Sequence, residues 1–144
     1  MILSQHVKII KVSAATGAGQ TAINSTAVDM KGYEGVLFMV TVLAITTAGV
    51  QSINAAQDVA SNGSFTDLLG SKVTIADDDD NQTFWLDVYQ PSKRYVRLEV
   101  ARGTQDSAFG EIYAIMYGAH QLPEVNNTAT VTGEAHLTPA EGTA

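Results

Sequence analysis

The sequence contains no cysteine, which excludes disulfide bonds and thiolate metal sites. Basic residues are few, with Lys+Arg at 8 against Asp+Glu at 15, so the net charge of −7 disfavours a nucleic-acid surface, whose phosphates require basic neutralisation. No apolar run approaches the roughly 20 residues of a membrane span. The first eight residues also lack a basic segment followed by an apolar stretch, so we expect no signal peptide, no membrane segment and synthesis in the cytosol.

The longest apolar run extends from Val36 to Ile45, and Thr41 is its one polar residue. It is rich in β-branched side chains, and the glycines at 32 and 49 mark turns on either side. Such a run is typical of a strand covered on both faces rather than of a helix. We therefore predict that it is the central strand of the core.

Three later segments alternate between apolar and polar residues, at 83–89, 94–102 and 109–117. In the second, Val96, Leu98 and Val100 are predicted to face inward. The third is apolar on both faces, with Phe109 on the side of Tyr113. Short strands at regular spacing, separated by turns, indicate an antiparallel sandwich or barrel. We predict an all-β, antiparallel, jelly-roll-like β-sandwich over residues 1–118, with 13–20 as a small-residue loop.

The composition changes after Tyr117, because the remaining residues include no phenylalanine, tyrosine or tryptophan and no lysine or arginine. Such a segment contributes little to a core. Residues 119–144 are therefore predicted to form an extended or flexible C-terminal arm. Within it, Thr128, Thr130 and Thr132 alternate with apolar residues and are candidates for a strand that pairs with a neighbour.

The acidic run Asp77–Asp80 could bind calcium, but it lacks the glycine and glutamate of an EF-hand loop, so a hydrated loop is the preferred interpretation. The histidines at 6, 120 and 136 are scattered, and no serine elbow or other nucleophile pattern accompanies them. Gly17 and Gly19 lack the context of a phosphate loop. We predict no enzymatic activity, no catalytic residue, no cofactor and no metal.

Four basic residues cluster in and beside one predicted strand: Lys93, Arg94, Arg97 and Arg102. They either form a charged exposed face paired with acidic residues or anchor the protein to an acidic protein surface, where arginine is favoured. Strand parity places the aromatic residues Trp85, Tyr89 and Tyr95 away from the core, where they can cover a second layer or an interface.

Four stretches carry a family resemblance: VDMKGYEGV (28–36), VTIADDDDN (73–81), YQPSKRYVR (89–97) and PAEGTA (139–144). With them, nearly the whole chain resembles a family of small tailed-bacteriophage virion proteins encoded near the major capsid protein and often treated as head decoration, or cement, proteins. The resemblance implies a β-rich structural protein and carries over no catalytic residue.

The expected function is a capsid decoration protein that binds the outer surface of the major capsid protein lattice and is located on the capsid surface of the virion. A homo-oligomer is expected, with a trimer favoured, and no nucleic-acid or membrane partner. One alternative is a head-completion, neck or tail structural subunit. An alternative of another class is a carbohydrate-binding module, because exposed Trp85 and Tyr89 could stack on sugars.

Overall fold

The computed structural model describes residues 1–138 and 140–143, so Pro139 and Ala144, the ends of the PAEGTA stretch, lie outside the described residues. A short 3-10 helix (Leu3–Gln5) precedes the strands. The strands are β1 (Lys8–Ser13), β2 (Thr16–Gly19), β3 (Ile23–Asn24), β4 (Val28–Asp29), β5 (Gly35–Ile45), β6 (Gln51–Asp58), β7 (Thr66–Asp67), β8 (Val73–Ile75), β9 (Thr83–Tyr89), β10 (Tyr95–Arg102) and β11 (Ser107–Tyr117). None of the described helices is long and apolar enough to cross a membrane.

The strands form two antiparallel sheets. The first sheet has the order β1-β11-β5-β9, and β2 also pairs with β11. The second has the order β3-β10-β6-β7, with β4 beside β3 on β10 and β8 beside β7 on β6. The pairing is nested: β1 pairs with β11, β3 and β4 with β10, β5 with β9, and β6 with β7 and β8. A long hairpin rolled into two sheets gives this order, so the predicted jelly-roll-like β-sandwich is confirmed.

The core lies between the two sheets. Alternate residues of β5, namely Val36, Phe38 and Val40, are at most 1% exposed, and Leu98 of β10 is fully buried. Because the period of a strand is two residues, each strand contributes every second side chain to this layer. The inward face predicted for β10 is correct.

The prediction that β5 is covered on both faces is wrong. Leu37 and Met39 are half-buried, and Leu43 is 44% exposed. The second sheet covers the inner face of β5, and no further layer among the described residues covers its outer face. An apolar run therefore does not distinguish a doubly covered strand from a strand with an apolar outer surface.

Two further predictions are corrected by the register of β11. The register with β5 shifts on both sides of Phe109, and this irregularity places both Phe109 and Ile112 in the core. Phe109 therefore does not share the half-buried outer face of Tyr113. The segment predicted as a loop contains β2, which pairs with β11 through Thr16 and Gly19.

Candidate functional site

The four basic residues predicted to contact the capsid do not form one surface. Arg102 is 5% exposed, and its guanidinium donates hydrogen bonds to the carbonyl oxygens of Thr21 (2.6 Å), Gly17 (2.8 Å) and Ser107 (2.8 Å). It therefore holds the β2–β3 region against β11. Arg102 continues the inward parity of Val96, Leu98 and Val100, so the alternation already contained the signal for its burial.

Arg97 is also occupied within the chain. Its Nε lies 2.8 Å from Glu99 Oε1, and its guanidinium carbon lies 4.2 Å from the centre of the Phe65 ring. Hydrogen bonds to a carboxylate and a cation–π contact with an aromatic ring stabilise an arginine side chain in one position. We therefore place Arg97 in the outer surface of the second sheet, as a paired residue rather than a free cation.

Lys93 and Arg94 line an open cleft of about 520 Å³ at one end of the sandwich, which we call the basic cleft. Lys31 and His120 line the same cleft, and neither was predicted as a site residue. Glu34 is the one acidic residue in its lining. The structure thus brings together three of the eight Lys and Arg residues of an acidic chain.

Three connections build the basic cleft. The β4–β5 and β9–β10 connections are joined by hydrogen bonds from Met30 N to the Arg94 carbonyl (2.8 Å) and from Gln90 N to the Glu34 carbonyl (2.7 Å). The start of the arm is held by His120 N, which donates to the Gly32 carbonyl at 2.9 Å. Gly32 and Gln90 have φ of 89° and 49°, a left-handed conformation that glycine adopts freely and glutamine does not. The cleft is therefore built by tertiary contacts among segments far apart in sequence.

The charges in the basic cleft differ in how they are used. Arg94 binds Asp29 through two hydrogen bonds, of 2.8 and 2.7 Å, and this guanidinium holds the pKa of the Asp29 carboxyl below its ordinary value. The same pair raises the pKa of Arg94. Lys31 and Lys93 have no ion-pair partner among residues 1–138 and 140–143. These two ammonium groups are the available cations of the cleft.

A second exposed feature lies on the outer face of the first sheet. Trp85 and Tyr89 are 63% and 59% exposed, in agreement with their predicted parity. The rings of Tyr89 and Tyr117 are parallel within 2°, with centres 6.5 Å apart. Gly35 lies between them in the sheet, and a Cβ there would overlap the Tyr117 ring. This glycine therefore allows the two tyrosines to approach each other.

A hydroxyl and a carboxylate flank these aromatic rings. The Tyr117 hydroxyl donates to Asp87 Oδ1 at 2.6 Å. Burial, together with this bond, raises the pKa of Tyr117 to about 12. The outer face of the first sheet therefore combines exposed rings with polar groups.

The first part of the arm is anchored to the start of the chain. Asn126 receives a hydrogen bond from Ile9 N (2.8 Å) and donates to the carbonyls of Ser4 (2.7 Å) and Val7 (2.9 Å). The Tyr33 hydroxyl donates to Glu124 at 2.9 Å. Burial, followed by this bond, raises the pKa of Tyr33 to about 12.

The strand predicted at Thr128, Thr130 and Thr132 is absent from the single chain. Thr128 N donates to the Val131 carbonyl (2.7 Å), and the Thr128 hydroxyl accepts from Thr130 N and Val131 N. Threonine competes in this way with strand pairing when no partner strand is present. The segment is a local turn, and its pairing with a neighbouring chain remains a hypothesis.

The acidic run forms the turn between β8 and β9 and holds neighbouring backbone. Asp79 accepts from Ala76 N and Asp80 accepts from Ile45 N, both at 2.8 Å, and Asp77 accepts from Ala48 N. Within residues 1–138 and 140–143, no group of three or more histidine or acidic residues is arranged to hold a metal ion. Three of the four aspartates therefore have a structural role beyond hydration.

The histidines do not converge on a single site. His6 Nδ1 donates to the Ile2 carbonyl at 2.9 Å, and His136 pairs with Glu134 at 2.9 Å. His120 lines the basic cleft. The features that sequence analysis missed, Lys31 and His120, are adjacent to Lys93 in space and not in sequence.

Comparison with known proteins shows which solved structures have a similar fold. No protein-family model and no curated protein sequence matches the chain. Among solved structures, it is similar to the PBSX exported protein XepA, with a TM-score of 0.57 and 20% identity over 95% of this chain. The match covers 45% of XepA, so the chain spans about half the length of that protein.

Two other structures resemble the chain less closely. The SPBc2 prophage-derived protein YomS gives a TM-score of 0.43 at 15% identity, over 75% of this chain and 93% of YomS. A CBM4 structure gives 0.42 at 12% identity, over 79% of this chain and 88% of that one. At these identities, the comparison with XepA supports the sandwich fold and assigns no site.

Proposed function

We propose that the chain is a structural virion protein of a tailed bacteriophage, specifically a capsid decoration protein that binds the outer surface of the major capsid protein lattice without enzymatic activity. The observation that supports a contact with the capsid is the basic cleft, where Lys31 and Lys93 lack ion-pair partners among the described residues. The resemblance of stretches 28–36, 73–81 and 89–97 to virion proteins supports the class.

The charge distribution supports an acidic partner surface. A chain with a net charge of −7 is repelled by an acidic surface except where its cations gather, so the basic cleft fixes the orientation of approach. Rim charges of this kind contribute modestly to affinity at each site. On a lattice, an oligomer adds such contacts through effective concentration, and the sum becomes strong.

The arm supplies a second candidate contact. Beyond Asn126, the described residues are mostly exposed and are held by local bonds around Thr128 and Asn127. Such a segment gives up few intramolecular contacts when it extends and adds as a strand to a neighbouring sheet. The pairing of Thr128, Thr130 and Thr132 with a capsid neighbour remains part of this proposal.

Capsid binding tests the role of the basic cleft directly. The double variant Lys31→Glu/Lys93→Glu should lose most co-sedimentation with undecorated capsids, while its melting temperature stays near that of the parent. The matched control is Lys72→Glu, which reverses an exposed lysine outside the cleft and should bind normally. Normal binding by the double variant would reject the cleft as the contact.

Copy number on purified virions distinguishes decoration from the head-completion, neck or tail alternative. A count that scales with the whole capsid lattice supports decoration. A count equal to a single ring of subunits would reject decoration in favour of the alternative. The same preparation locates the protein at the capsid surface by labelling of intact particles.

Carbohydrate binding is the second candidate function, and it is favoured by the exposure of Trp85 and Tyr89 on one strand. Aromatic faces next to Asp87 and the Tyr117 hydroxyl suit the stacking and hydrogen bonding of a sugar. Binding to a glycan panel that is lost in Trp85→Ala would support this function. Absence of any glycan binding would remove it.

A further inference from the structure

The sheets of the sandwich differ in how their edges are protected. The edge of the first sheet at β1 carries Lys8 and Lys11, has a register shift and is covered by Asn126 of the arm. The edges of the second sheet are short, since β3, β4 and β7 have two residues each and β8 has three. Lysines, bulges, covering loops and short strands are the usual protection against edge-to-edge pairing.

The opposite edge of the first sheet, β9, has none of these protections. It is seven residues long, contains no lysine, arginine or proline, and pairs with β5 without a register shift. No segment of the described chain pairs with its other side. A long regular edge of this kind presents a template for another strand.

The ladder with β5 fixes which backbone groups of β9 are free. Gln90 N donates to the Glu34 carbonyl at one end, and Val42 N donates to the Gln82 carbonyl at the other. Hydrogen-bonded pairs alternate along an antiparallel ladder, so the even-numbered residues of β9 bond to β5. The N–H and C=O groups of four residues consequently point away from the sheet: Thr83, Trp85, Asp87 and Tyr89.

The core beneath this edge is incompletely covered. Phe84 and Leu86 face inward and pack against the core, yet both are only half-buried. Their neighbours on β5, Phe38 and Val40, are at most 1% exposed. A strand added beside β9 would remove further apolar surface from water.

We infer that β9 pairs antiparallel with β9 of a second copy of this chain, so that two first sheets join into one continuous sheet. Such a contact is isologous and closes as a two-fold dimer. The free groups of the four odd-numbered residues on each copy then form about eight hydrogen bonds. This inference does not depend on the proposed capsid role, and it favours a dimer over the trimer that the sequence analysis expects.

Strand overlap and side-chain charge together select the register of this pairing, because only an axis at Leu86 pairs all seven residues of β9. A two-fold axis at Leu86 places Trp85 opposite Asp87 of the second copy and Thr83 opposite its Tyr89. An axis at Asp87 would place two carboxylates directly opposite each other, which destabilises a strand pair. The register centred on Leu86 is therefore the one we propose.

The first experiment measures the mass of the parent chain in solution by light scattering. The expected value is twice the 15.2 kDa of the chain. In Asp87→Pro, the mass should fall by half while the melting transition persists, because the lost N–H points away from β5 and proline is tolerated at such edge positions. Asp87→Asn keeps the N–H and should remain a dimer.

Cysteine cross-linking tests the register and does not require the proline variant to fold. The chain has no native cysteine, so Trp85→Cys and Asp87→Cys each introduce a single thiol. After the two variants are unfolded together, refolded and oxidised, a disulfide-linked dimer should form, with little in either variant alone. Directly opposed residues in a strand pair have Cα separations compatible with a disulfide.

Four results would overturn the inference. The first is a parent protein that has the mass of one chain at every concentration, and the second is a dimer that survives in folded Asp87→Pro. The third is efficient cross-linking of Asp87→Cys with itself. The fourth is loss of the dimer on deletion of residues 127–144. The last would identify the arm as the strand that occupies the β9 edge. Failure of capsid binding alone would leave the dimer inference standing.

Discussion

Replacement of Arg102 tests whether this residue acts in folding rather than in binding. Its guanidinium donates to the carbonyls of Thr21, Gly17 and Ser107, and Ser107 is itself buried. Hydrogen bonds from a charged donor contribute about 1.5–3 kcal/mol each, and an orphaned buried acceptor costs about 1–3 kcal/mol. Since the other two carbonyls lie in exposed segments that water can reach, we expect Arg102→Ala to lose about 3–5 kcal/mol of unfolding free energy.

This loss corresponds to a melting temperature about 10–17 °C lower for a chain of this size. Arg102→Lys should be intermediate, because one ammonium cannot reproduce the fork of a guanidinium. Arg94→Ala is the matched control: it removes an exposed pair with Asp29 and should leave the stability close to that of the parent. Urea denaturation measures the stability of all three variants, and capsid co-sedimentation is followed on the same samples.

The reasoning would be refuted by an Arg102→Ala protein that is as stable as the parent but fails to bind capsids. That result would restore Arg102 as a contact residue, as the sequence first indicated. A protein that loses stability and, when folded at low temperature, still binds capsids would support the structural role.

The remaining predictions concern the core, the acidic turn, the arm and one tyrosine. Leu98→Asp places an unpaired charge in a fully buried position and should abolish soluble, cooperatively melting protein; a normal melting curve would contradict the assigned face. Neither calcium nor a chelator should shift the melting temperature of the parent or of a variant with Asp77–Asp80 replaced by Asn and Ser. The variant should melt at a lower temperature than the parent, because it loses acceptors for backbone N–H groups. A calcium-dependent rise in melting temperature confined to the parent would restore a metal site. Deletion of residues 127–144 should lower the unfolding free energy by at most about 1 kcal/mol in urea denaturation. Asn126→Ala should lower it by about 1–2 kcal/mol, because three hydrogen bonds are lost. Equal losses for the two variants would contradict the anchoring role of Asn126. The pKa of Tyr33 is raised from 10.0 to about 12, so its contribution to stability is complete below pH 10 and is lost as the pH rises through 12. Tyr33→Phe should therefore flatten the decline of the melting temperature at alkaline pH. An unchanged decline would reject the link between Tyr33 ionisation and stability.

The sequence by itself determined the fold class and the inner face of β10. The alternation of Val96, Leu98 and Val100 specifies which side chains are removed from water, and this local period survives any arrangement of neighbouring strands. The same period determined the exposure of Trp85 and Tyr89. Extended to the end of the strand, it also indicated that Arg102 faces inward.

Tertiary structure decided what the sequence pattern left open. Composition could not show that the outer face of β5 is uncovered, because a buried strand and a strand with an apolar surface have the same residues. The irregular register around Phe109 shifted its side chain to the core, although strict alternation predicts the outer face.

The candidate site depended still more on tertiary structure. Lys31, Lys93 and His120 meet because backbone hydrogen bonds join three distant connections, and no local period encodes such a meeting. The free edge of β9 likewise follows from its place in the strand order. Local periodicity determines which face of a strand is buried, whereas long-range pairing determines which strand has no neighbour.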